Sequence, residues 1–216
     1  MVAPREPVTV VVALGGNAIL KPGQRGTIYE QFANVRAAME PIVRILRYGH
    51  RVVITHGNGP QVGALLLQNE AARKVVPPMP LGILVAESEG MLGYTLQQCL
   101  TNALKRSQLG TKAVTVITQV TVDPDDPELK HPTKPVGPHF PAEQAEDIRR
   151  AFERYGYVMR EEPGKGWRVV VPSPDPKSVV EADVIAALLR EGYVVIASGG
   201  GGMPVVEREH WGFEGL

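Results

Sequence analysis

The chain has 216 residues, of which 23 are basic and 23 acidic, so its formal net charge is zero. This balance argues against a nucleic acid or an anionic membrane as partner, because both are held by excess positive charge. An apolar content of 44% is typical of globular proteins, and the single cysteine, Cys99, excludes a disulfide framework and favours a reducing compartment. No apolar run approaches the roughly 20 residues of a membrane span, and residues 8–14 lack a signal-peptide cleavage pattern, so we expect a cytoplasmic protein.

Strand and helix patterns alternate along the first half of the chain. Residues 8–14 form a continuous apolar run rich in β-branched side chains, which predicts a strand buried on both faces. Thr27 and Glu30 have the spacing of a capping box and precede an apolar stripe with helical periodicity, so a helix is predicted to begin there. Residues 51–55 predict a second strand, and residues 83–106 predict a long helix with a wide apolar face.

The middle of the second half is less regular. Residues 113–118 predict a third core strand. Six prolines and several charges in residues 119–141 favour a rigid, exposed excursion over a core element. A helix over residues 142–155 and a β-hairpin over residues 157–171 are predicted to follow.

The last part of the chain contains a helix, a strand and a tail. Ser178 and Glu181 predict a second capping box at the start of a helix, and residues 193–198 predict a strand that leads into four glycines. Residues 203–216 are expected to form a loop-like tail. Because a buried parallel strand needs helices on both faces, the chain is expected to be cut short at Leu216.

The order of these elements predicts the fold class. Strand, helix, strand and helix in succession indicate parallel pairing with right-handed crossovers. We expect an α/β fold, a three-layer αβα sandwich with a mainly parallel central sheet and a small protruding lobe. Residues 1–118 and 171–216 are predicted to form the core, and residues 119–170 the protruding lobe or lid.

Three glycine-rich turns each follow directly after a predicted core strand. In open α/β sheets, ligands bind in the crevice at the carboxyl ends of the strands, so all three turns point to one crevice. Glycine permits close backbone approach, and successive N–H groups attract an anion. The turns are Gly15, Gly16 and Asn17; Gly57, Asn58 and Gly59; and Gly199, Gly200, Gly201 and Gly202.

The common phosphate and metal motifs are absent from the sequence. No P-loop pattern occurs, and the glycine pattern that begins at Gly57 has Val62 where a dinucleotide fingerprint needs its last glycine. His131 and His139 have no cysteine or carboxylate at ligand spacing, so no metal site is predicted. A nicotinamide-binding module is therefore the least favoured interpretation.

Lys134 is the candidate catalytic cation. It lies in a segment stiffened by Pro132 and Pro135, which lowers the cost of fixing a long side chain. A lysine presented in this way suits a phosphoryl group, although a solvated loop lysine is the alternative.

Five segments, in this order along the chain, together resemble carbamate kinase. They are residues 12–18 (VALGGNA), 55–63 (THGNGPQVG), 132–138 (PTKPVGP), 170–174 (VVPSP) and 197–205 (ASGGGGMPV). The resemblance implies the amino-acid-kinase fold, a homodimer, and ATP with Mg²⁺. The implied reaction joins carbamate and ATP to give carbamoyl phosphate and ADP, and it often runs towards ATP in arginine or purine breakdown.

The resemblance also implies roles for the turn residues. Gly15, Gly16 and Asn17 would hold the transferred phosphoryl group; Gly57, Asn58 and Gly59 would line the carbamate pocket; Gly199, Gly200, Gly201 and Gly202 would face substrate and phosphate; and Lys134 would neutralise charge. Carbamate is already an anionic nucleophile, so catalysis reduces to positioning and charge neutralisation.

Two departures from the wider family bear on function. Related acid and nucleotide kinases carry a lysine ahead of the first glycine pair, where this chain has Ala13 and Leu14, which favours carbamate kinase over another acid kinase of the same fold. Carbamate kinases continue beyond the last glycine-rich turn into a nucleotide-binding segment, and none follows Leu216. We therefore expect weak or absent turnover from this chain alone. The alternative is a non-catalytic fragment that binds anions or dimerises.

Overall fold

The computed structural model describes residues 7–153 and 156–216, which form two compact units. The first unit contains the described residues up to Asn58 together with Ala86–Gln119 and Val179–Gly202. The second unit contains Gly59–Val85, Val120–Ser178 and Met203–Leu216.

Helices and strands alternate along the first half of the chain and strands dominate the second half. The first half contains β1 (Thr9–Leu14), α1 (Gly16–Ile19), α2 (Ile28–Arg47), β2 (Arg51–His56), α3 (Gly59–Ala72) and α4 (Leu81–Arg106). The second half contains β3 (Ala113–Thr115), β4 (Gln119–Val122), β5 (Lys134–Phe140), α5 (Ala142–Glu153), β6 (Val158–Glu162), β7 (Gly166–Val171), β8 (Pro176–Val179), α6 (Ala182–Arg190), β9 (Val194–Ile196), β10 (Met203–Arg208) and β11 (Gly212–Gly215). None of the helices in these ranges is long and apolar enough to cross a bilayer.

The first unit is built on a parallel sheet with the strand order β1-β2-β9-β3. Its three strand pairs are all parallel, and the register places Leu14 beside His56 and Ile54 beside Ile196. This arrangement confirms the predicted parallel pairing. The carboxyl ends of β1, β2 and β9 therefore lie side by side at one end of the sheet.

Helices cover both faces of this sheet. On one face, Val52 and Ile54 pack with residues of α2 and α4 in a cluster that includes the buried Cys99. On the other face, Val53 and Val195 pack with residues of α6. Because successive side chains of a strand point to opposite faces, β2 supplies side chains to both clusters. The predicted burial of β1 on both faces is wrong: β1 is the terminal strand in the order of this sheet, and Val11 is 63% exposed. The predicted three-layer αβα architecture is confirmed.

The start of α2 confirms the first predicted capping box. The Thr27 hydroxyl accepts a hydrogen bond from the Glu30 backbone N–H, and the Glu30 carboxylate accepts one from the Thr27 backbone N–H at 2.8 Å. These bonds satisfy two backbone donors that the first turn of a helix leaves without partners.

The second unit contains two sheets and the helices α3 and α5. One sheet has the order β11-β10-β4-β8 and the other β5-β7-β6. Antiparallel β6 and β7 form the predicted hairpin, with Val158 opposite Val170. Helix α5 covers the start of the predicted range 142–155, whose last two residues lie outside the described residues.

Helix α3 and strand β5 approach each other through two glycines. A Cβ atom added to Gly63 of α3 would overlap the backbone of Gly137 in β5. Gly137 itself has a φ of +73°, and its carbonyl accepts a hydrogen bond from Arg168 Nε at 2.7 Å. The two backbones can come this close only because neither residue has a side chain.

The prediction of a loop-like tail is wrong. Residues 203–216 form the antiparallel pair β10 and β11, in which Val206 lies opposite Glu214. Val205 and Val206 are buried, and Gly212 adopts the positive φ that the turn requires. Two adjacent valines supply enough β propensity and apolar surface for a strand, which outweighs the short length of the segment.

The prediction of an exposed excursion over residues 119–141 is wrong in part. Val120 and Val122 of β4 are buried, as is Val136 of β5. The prolines of β5 are tolerated because β5 lies at the edge of its sheet, where one side needs no hydrogen-bond donors.

The second predicted capping box, at Ser178 and Glu181, is also wrong. Ser178 lies in β8, where its hydroxyl shares a hydrogen bond of 2.6 Å with Thr121. Glu181 precedes α6 without capping it; its carboxylate accepts hydrogen bonds from the backbone and side-chain N–H groups of Gln119. Both side chains are therefore engaged with segments that are distant in sequence, which the local spacing did not reveal.

Candidate functional site

The first two glycine turns contact each other at the carboxyl end of the parallel sheet. They follow β1 and β2, which are adjacent, and the Gly57 N–H donates to the Leu14 carbonyl at 3.1 Å. A Cβ atom on Gly57 would lie 3.8 Å from the Gly16 nitrogen, which is an ordinary contact distance. The expected convergence of these two turns is confirmed.

The third turn, which follows β9, packs against the second. A Cβ atom on Gly200 would overlap the carboxamide of Asn58, whose side chain is buried. The Asn58 carboxamide is itself held by a hydrogen bond from Nδ2 to Ser88 Oγ at 2.9 Å. Gly200, Gly201 and Gly202 have φ values of +66°, +102° and +90°, which side-chain-bearing residues rarely adopt. The third turn therefore depends on glycine for both its backbone shape and its fit.

Most of the predicted site residues belong to the first unit. They are Gly15, Gly16, Asn17, Gly57, Asn58, Gly199, Gly200, Gly201 and Gly202. Gly59 and Lys134 belong to the second unit, where Gly59 begins α3 and Lys134 begins β5. Lys134 is half-buried and pairs with Val171 of β7, so it lies on a strand and not on the predicted loop.

A buried acid, Glu89, lies behind the third turn. Its side chain is 2% exposed, and its Oε2 accepts a hydrogen bond from the Thr118 backbone N–H at 2.8 Å. The Thr118 hydroxyl in turn accepts one from the Ser198 backbone N–H at 2.8 Å, immediately before the glycines. Glu89 is thus connected to the third turn through Thr118 and Ser198.

His56 lies beside the same turn. A Cβ atom on Gly199 would lie 2.7 Å from His56 Nε2 and 2.8 Å from the Glu89 Cγ, so both side chains pack directly against this glycine. His56 Nδ1 lies 3.1 Å from the Gly57 carbonyl, which can only accept, so Nδ1 carries the proton. Burial lowers the pKa of His56, and the ring is neutral at pH 7.

Ser88, Glu89 and Thr118 are the site residues that sequence reasoning missed. Ser88 and Glu89 interrupt the apolar stripe of α4 between Leu84 and Leu92, and all four side chains are buried. The acidic residue within this apolar helical stripe is the signal that could have revealed Ser88 and Glu89. Acids are very rarely buried without a partner, so an acid at a buried position indicates a special role. No comparable signal marks Thr118.

Burial raises the pKa of Glu89 from its ordinary value of 4.5 to about 7. The hydrogen bond from Thr118 lowers this pKa and opposes the effect of burial, and the negative charge of Glu181 raises it by a smaller amount. The folded chain therefore holds a proton that the unfolded chain releases above pH 4.5, and the free energy of unfolding falls as pH rises from 4.5 through 7.

Glu89→Gln is expected to remove this pH-dependent loss of stability. A neutral amide carries no penalty for ionisation, so the variant is expected to exceed the parent in free energy of unfolding by about 3 kcal/mol at pH 8 and by less than about 1 kcal/mol at pH 5. Urea denaturation at both pH values measures the difference. Glu87→Gln, on the same helix but exposed, is the control, and equal stability of parent and Glu89→Gln at pH 8 would contradict the expectation.

Comparison with known proteins places this site in a family. The model of the amino acid kinase family matches residues 8–214. The chain belongs to the amino acid kinase family. Its match to the family model covers both units and all three glycine turns, in agreement with the fold predicted from the sequence.

The relatives of this amino acid kinase family member include curated carbamate kinases. The chain is 47% identical over 203 residues to the carbamate kinase of Pyrococcus horikoshii, a match that covers 93% of this chain and 64% of that protein. A solved structure of Giardia lamblia carbamate kinase bound to citric acid is 43% identical, with a TM-score of 0.91, 98% of this chain covered and 67% of that one. A second structure, of the same Giardia enzyme bound to AMP-PNP, has a TM-score of 0.84, 43% identity and coverages of 98% and 66%. The chain thus spans about two thirds of the length of these relatives.

Proposed function

We propose that this protein is a carbamate kinase that transfers a phosphoryl group between ATP and carbamate, giving carbamoyl phosphate and ADP. The observation that carries the proposal is the convergence of three glycine turns at the ends of adjacent parallel strands. Its support from similarity is the set of carbamate kinases with 45 to 48% identity over more than nine tenths of this chain.

The proposed roles follow from the chemistry of an anionic crevice. The turn with Gly15, Gly16 and Asn17 would bind the transferred phosphoryl group through backbone N–H donors at the start of α1. The turn with Gly57, Asn58 and Gly59 would bind carbamate, and the turn with Gly199, Gly200, Gly201 and Gly202 would face both reactants. Because the carbamate oxygen already carries negative charge, the transfer requires no general base, and rate comes from alignment and charge neutralisation.

Lys134 is proposed to supply the neutralising charge. Residues 119–170, which carry it, are proposed to act as a lobe or lid on the core formed by residues 1–118 and 171–216. The backbone of a lysine on a strand is already ordered, so less binding energy is spent on fixing it than for a lysine on a loop.

The nucleotide would enter as a complex with Mg²⁺. Mg²⁺ in such sites is typically held by the nucleotide phosphates and water together with one or two carboxylates, so no cluster of three protein ligands is required; among the residues that the structure describes, no such cluster is present. The AMP-PNP complex of the Giardia relative supports nucleotide binding in this family. We further propose a cytoplasmic homodimer with a role in arginine or purine breakdown.

ATP formation tests the proposed reaction. The purified chain is mixed with carbamoyl phosphate, ADP and Mg²⁺, and ATP is followed with luciferase; because weak turnover is expected from this chain, a low rate of ATP formation is the expected result. Lys134→Ala is expected to lower the rate tenfold or more, because a charge that stabilises the moving phosphoryl group is lost. Lys130→Ala, an exposed lysine of the same segment, is the matched control and is expected to leave the rate unchanged.

The other outcomes separate the alternatives. No ATP from a folded chain that still binds carbamoyl phosphate would support an anion-binding chain without turnover. ATP formation from a different acyl phosphate would support another acid kinase of the same fold. The presence of Ala13 ahead of the first glycine pair, where such kinases carry a lysine, favours the opposite outcome.

A further inference from the structure

Two neighbouring residues of α4 support two different glycine turns. Ser88 Oγ accepts a hydrogen bond from the Asn58 carboxamide in the second turn. Glu89 Oε2 accepts one from the Thr118 N–H, and Thr118 Oγ1 accepts from Ser198 at the base of the third turn. One turn of one helix therefore sets the position of two of the three turns that would surround an anion.

One oxygen of the Glu89 carboxyl group makes no hydrogen bond within the described part of the chain. Its Oε1 is buried and has no hydrogen-bond partner among residues 7–153 and 156–216. The titratable groups that face it are His56, which lies against the same glycine and is neutral at pH 7, and Glu181, whose like charge opposes ionisation. Neither of these neighbours carries a positive charge that would offset a negative charge on Glu89, so ionising the Glu89 carboxyl group in this position costs free energy.

We propose that Glu89 is a positioning residue of the anion site, fixing the third glycine turn through Thr118 and Ser198, and that the turns bind an anion more weakly when the Glu89 carboxyl is ionised. The proposal rests on the proposed function only in taking the glycine turns as an anion site. A neutral isostere such as glutamine at position 89 would keep this role in anion binding, whereas the ionised carboxylate would weaken the binding.

The expected coupling between anion binding and ionisation of Glu89 follows from the short distance between the two sites and from thermodynamic linkage. The Glu89 Cγ packs against Gly199, so a carboxylate there lies within a few ångströms of the backbone that would receive an anion. Repulsion between two like charges this close is expected to weaken binding by about tenfold. By reciprocity, a bound anion raises the pKa of Glu89 by about one unit.

The first test follows backbone amides of the isotopically labelled full chain by NMR, without any ligand. The amide signals of Thr118 and Ser198 are expected to shift together with a common midpoint in the neutral range. In Glu89→Gln this transition is expected to disappear, and in Glu87→Gln it is expected to remain. A transition that persists in Glu89→Gln, or its absence from the parent between pH 5 and 9, would overturn the proposal.

The second test uses sulfate, whose charge stays constant over this pH range, at fixed ionic strength. The sulfate Kd is expected to rise about tenfold between pH 6 and pH 8.5 in the parent and in Glu87→Gln, and to stay constant in Glu89→Gln. Equal weakening in all three proteins would overturn the proposal. Should Glu89→Gln not fold, the parent alone decides: saturating sulfate must move the Thr118 midpoint up by about one pH unit, and an unmoved midpoint overturns the coupling.

These tests are independent of turnover. Sulfate binding that depends on Glu89, in a chain that makes no ATP, would contradict the proposed reaction and leave the role of Glu89 intact. ATP formation together with pH-independent sulfate binding would overturn the role of Glu89 alone.

Discussion

Gly63→Ala is expected to lower the free energy of unfolding by about 4 kcal/mol, the largest stability effect that we predict for a single substitution. The added methyl group would occupy the space of the Gly137 backbone. Backbone atoms cannot rotate away as a side chain can, so α3 and β5 would have to separate. Thermal denaturation followed by circular dichroism measures the loss.

Gly90→Ala is the matched control for this substitution. Gly90 lies in α4, is exposed, and has no atom within 4 Å of the position of an added Cβ. Alanine is the better helix former, so this variant is expected to gain up to about 1 kcal/mol. A Gly63→Ala protein as stable as the parent would show that α3 and β5 do not approach each other through these two glycines.

Gly200→Ala is expected to cost about 3 kcal/mol of stability and to weaken anion binding at least tenfold. Its methyl group would displace the Asn58 carboxamide and break the buried hydrogen bond to Ser88. An asparagine that is left without its partner in a buried position adds its desolvation cost to the strain of the left-handed backbone. Urea denaturation and a sulfate titration measure the two effects.

Gly201→Ala separates the cost of backbone strain from the cost of steric overlap with a neighbouring side chain. Gly201 has a φ of +102°, less favourable for alanine than the +66° of Gly200, yet nothing lies within 4 Å of an added Cβ. Backbone strain alone is expected to cost about 1 to 2 kcal/mol there. If Gly201→Ala destabilises the protein as much as Gly200→Ala, the contact between Gly200 and Asn58 contributes nothing.

The parts of the fold that were predictable are those with a strong periodic signal. The apolar run of β1 and the capping box at Thr27 specified a strand and a helix start from a few neighbouring residues, although the run did not reveal that β1 is only partly buried. Ser178 and Glu181 had the same local spacing but are engaged with Thr121 and Gln119, more than 50 residues away. Such long-range partners decide between two local structures and leave no trace in the local pattern.

The candidate site divides in the same way. Glycines directly after strands were visible in the sequence because their position is fixed by chain order. The residues behind them, Ser88, Glu89 and Thr118, depend on which face of α4 turns towards the sheet and on where the chain leaves β3. Lys134 was predicted to lie on a loop stiffened by prolines, but it begins β5, a strand that pairs with the distant strand β7.

The burial of Cys99 has a practical consequence for distinguishing these variants. The single cysteine lies in the first unit, 2% exposed and with a pKa raised by burial, whereas Trp167 and Trp211, the two tryptophans, belong to the second unit. A thiol reagent therefore reacts only when the first unit opens, and indole fluorescence follows the second. The chain thus contains one natural reporter in each unit, and damage at Gly200 or at Gly63 can be assigned to its own unit without any added label.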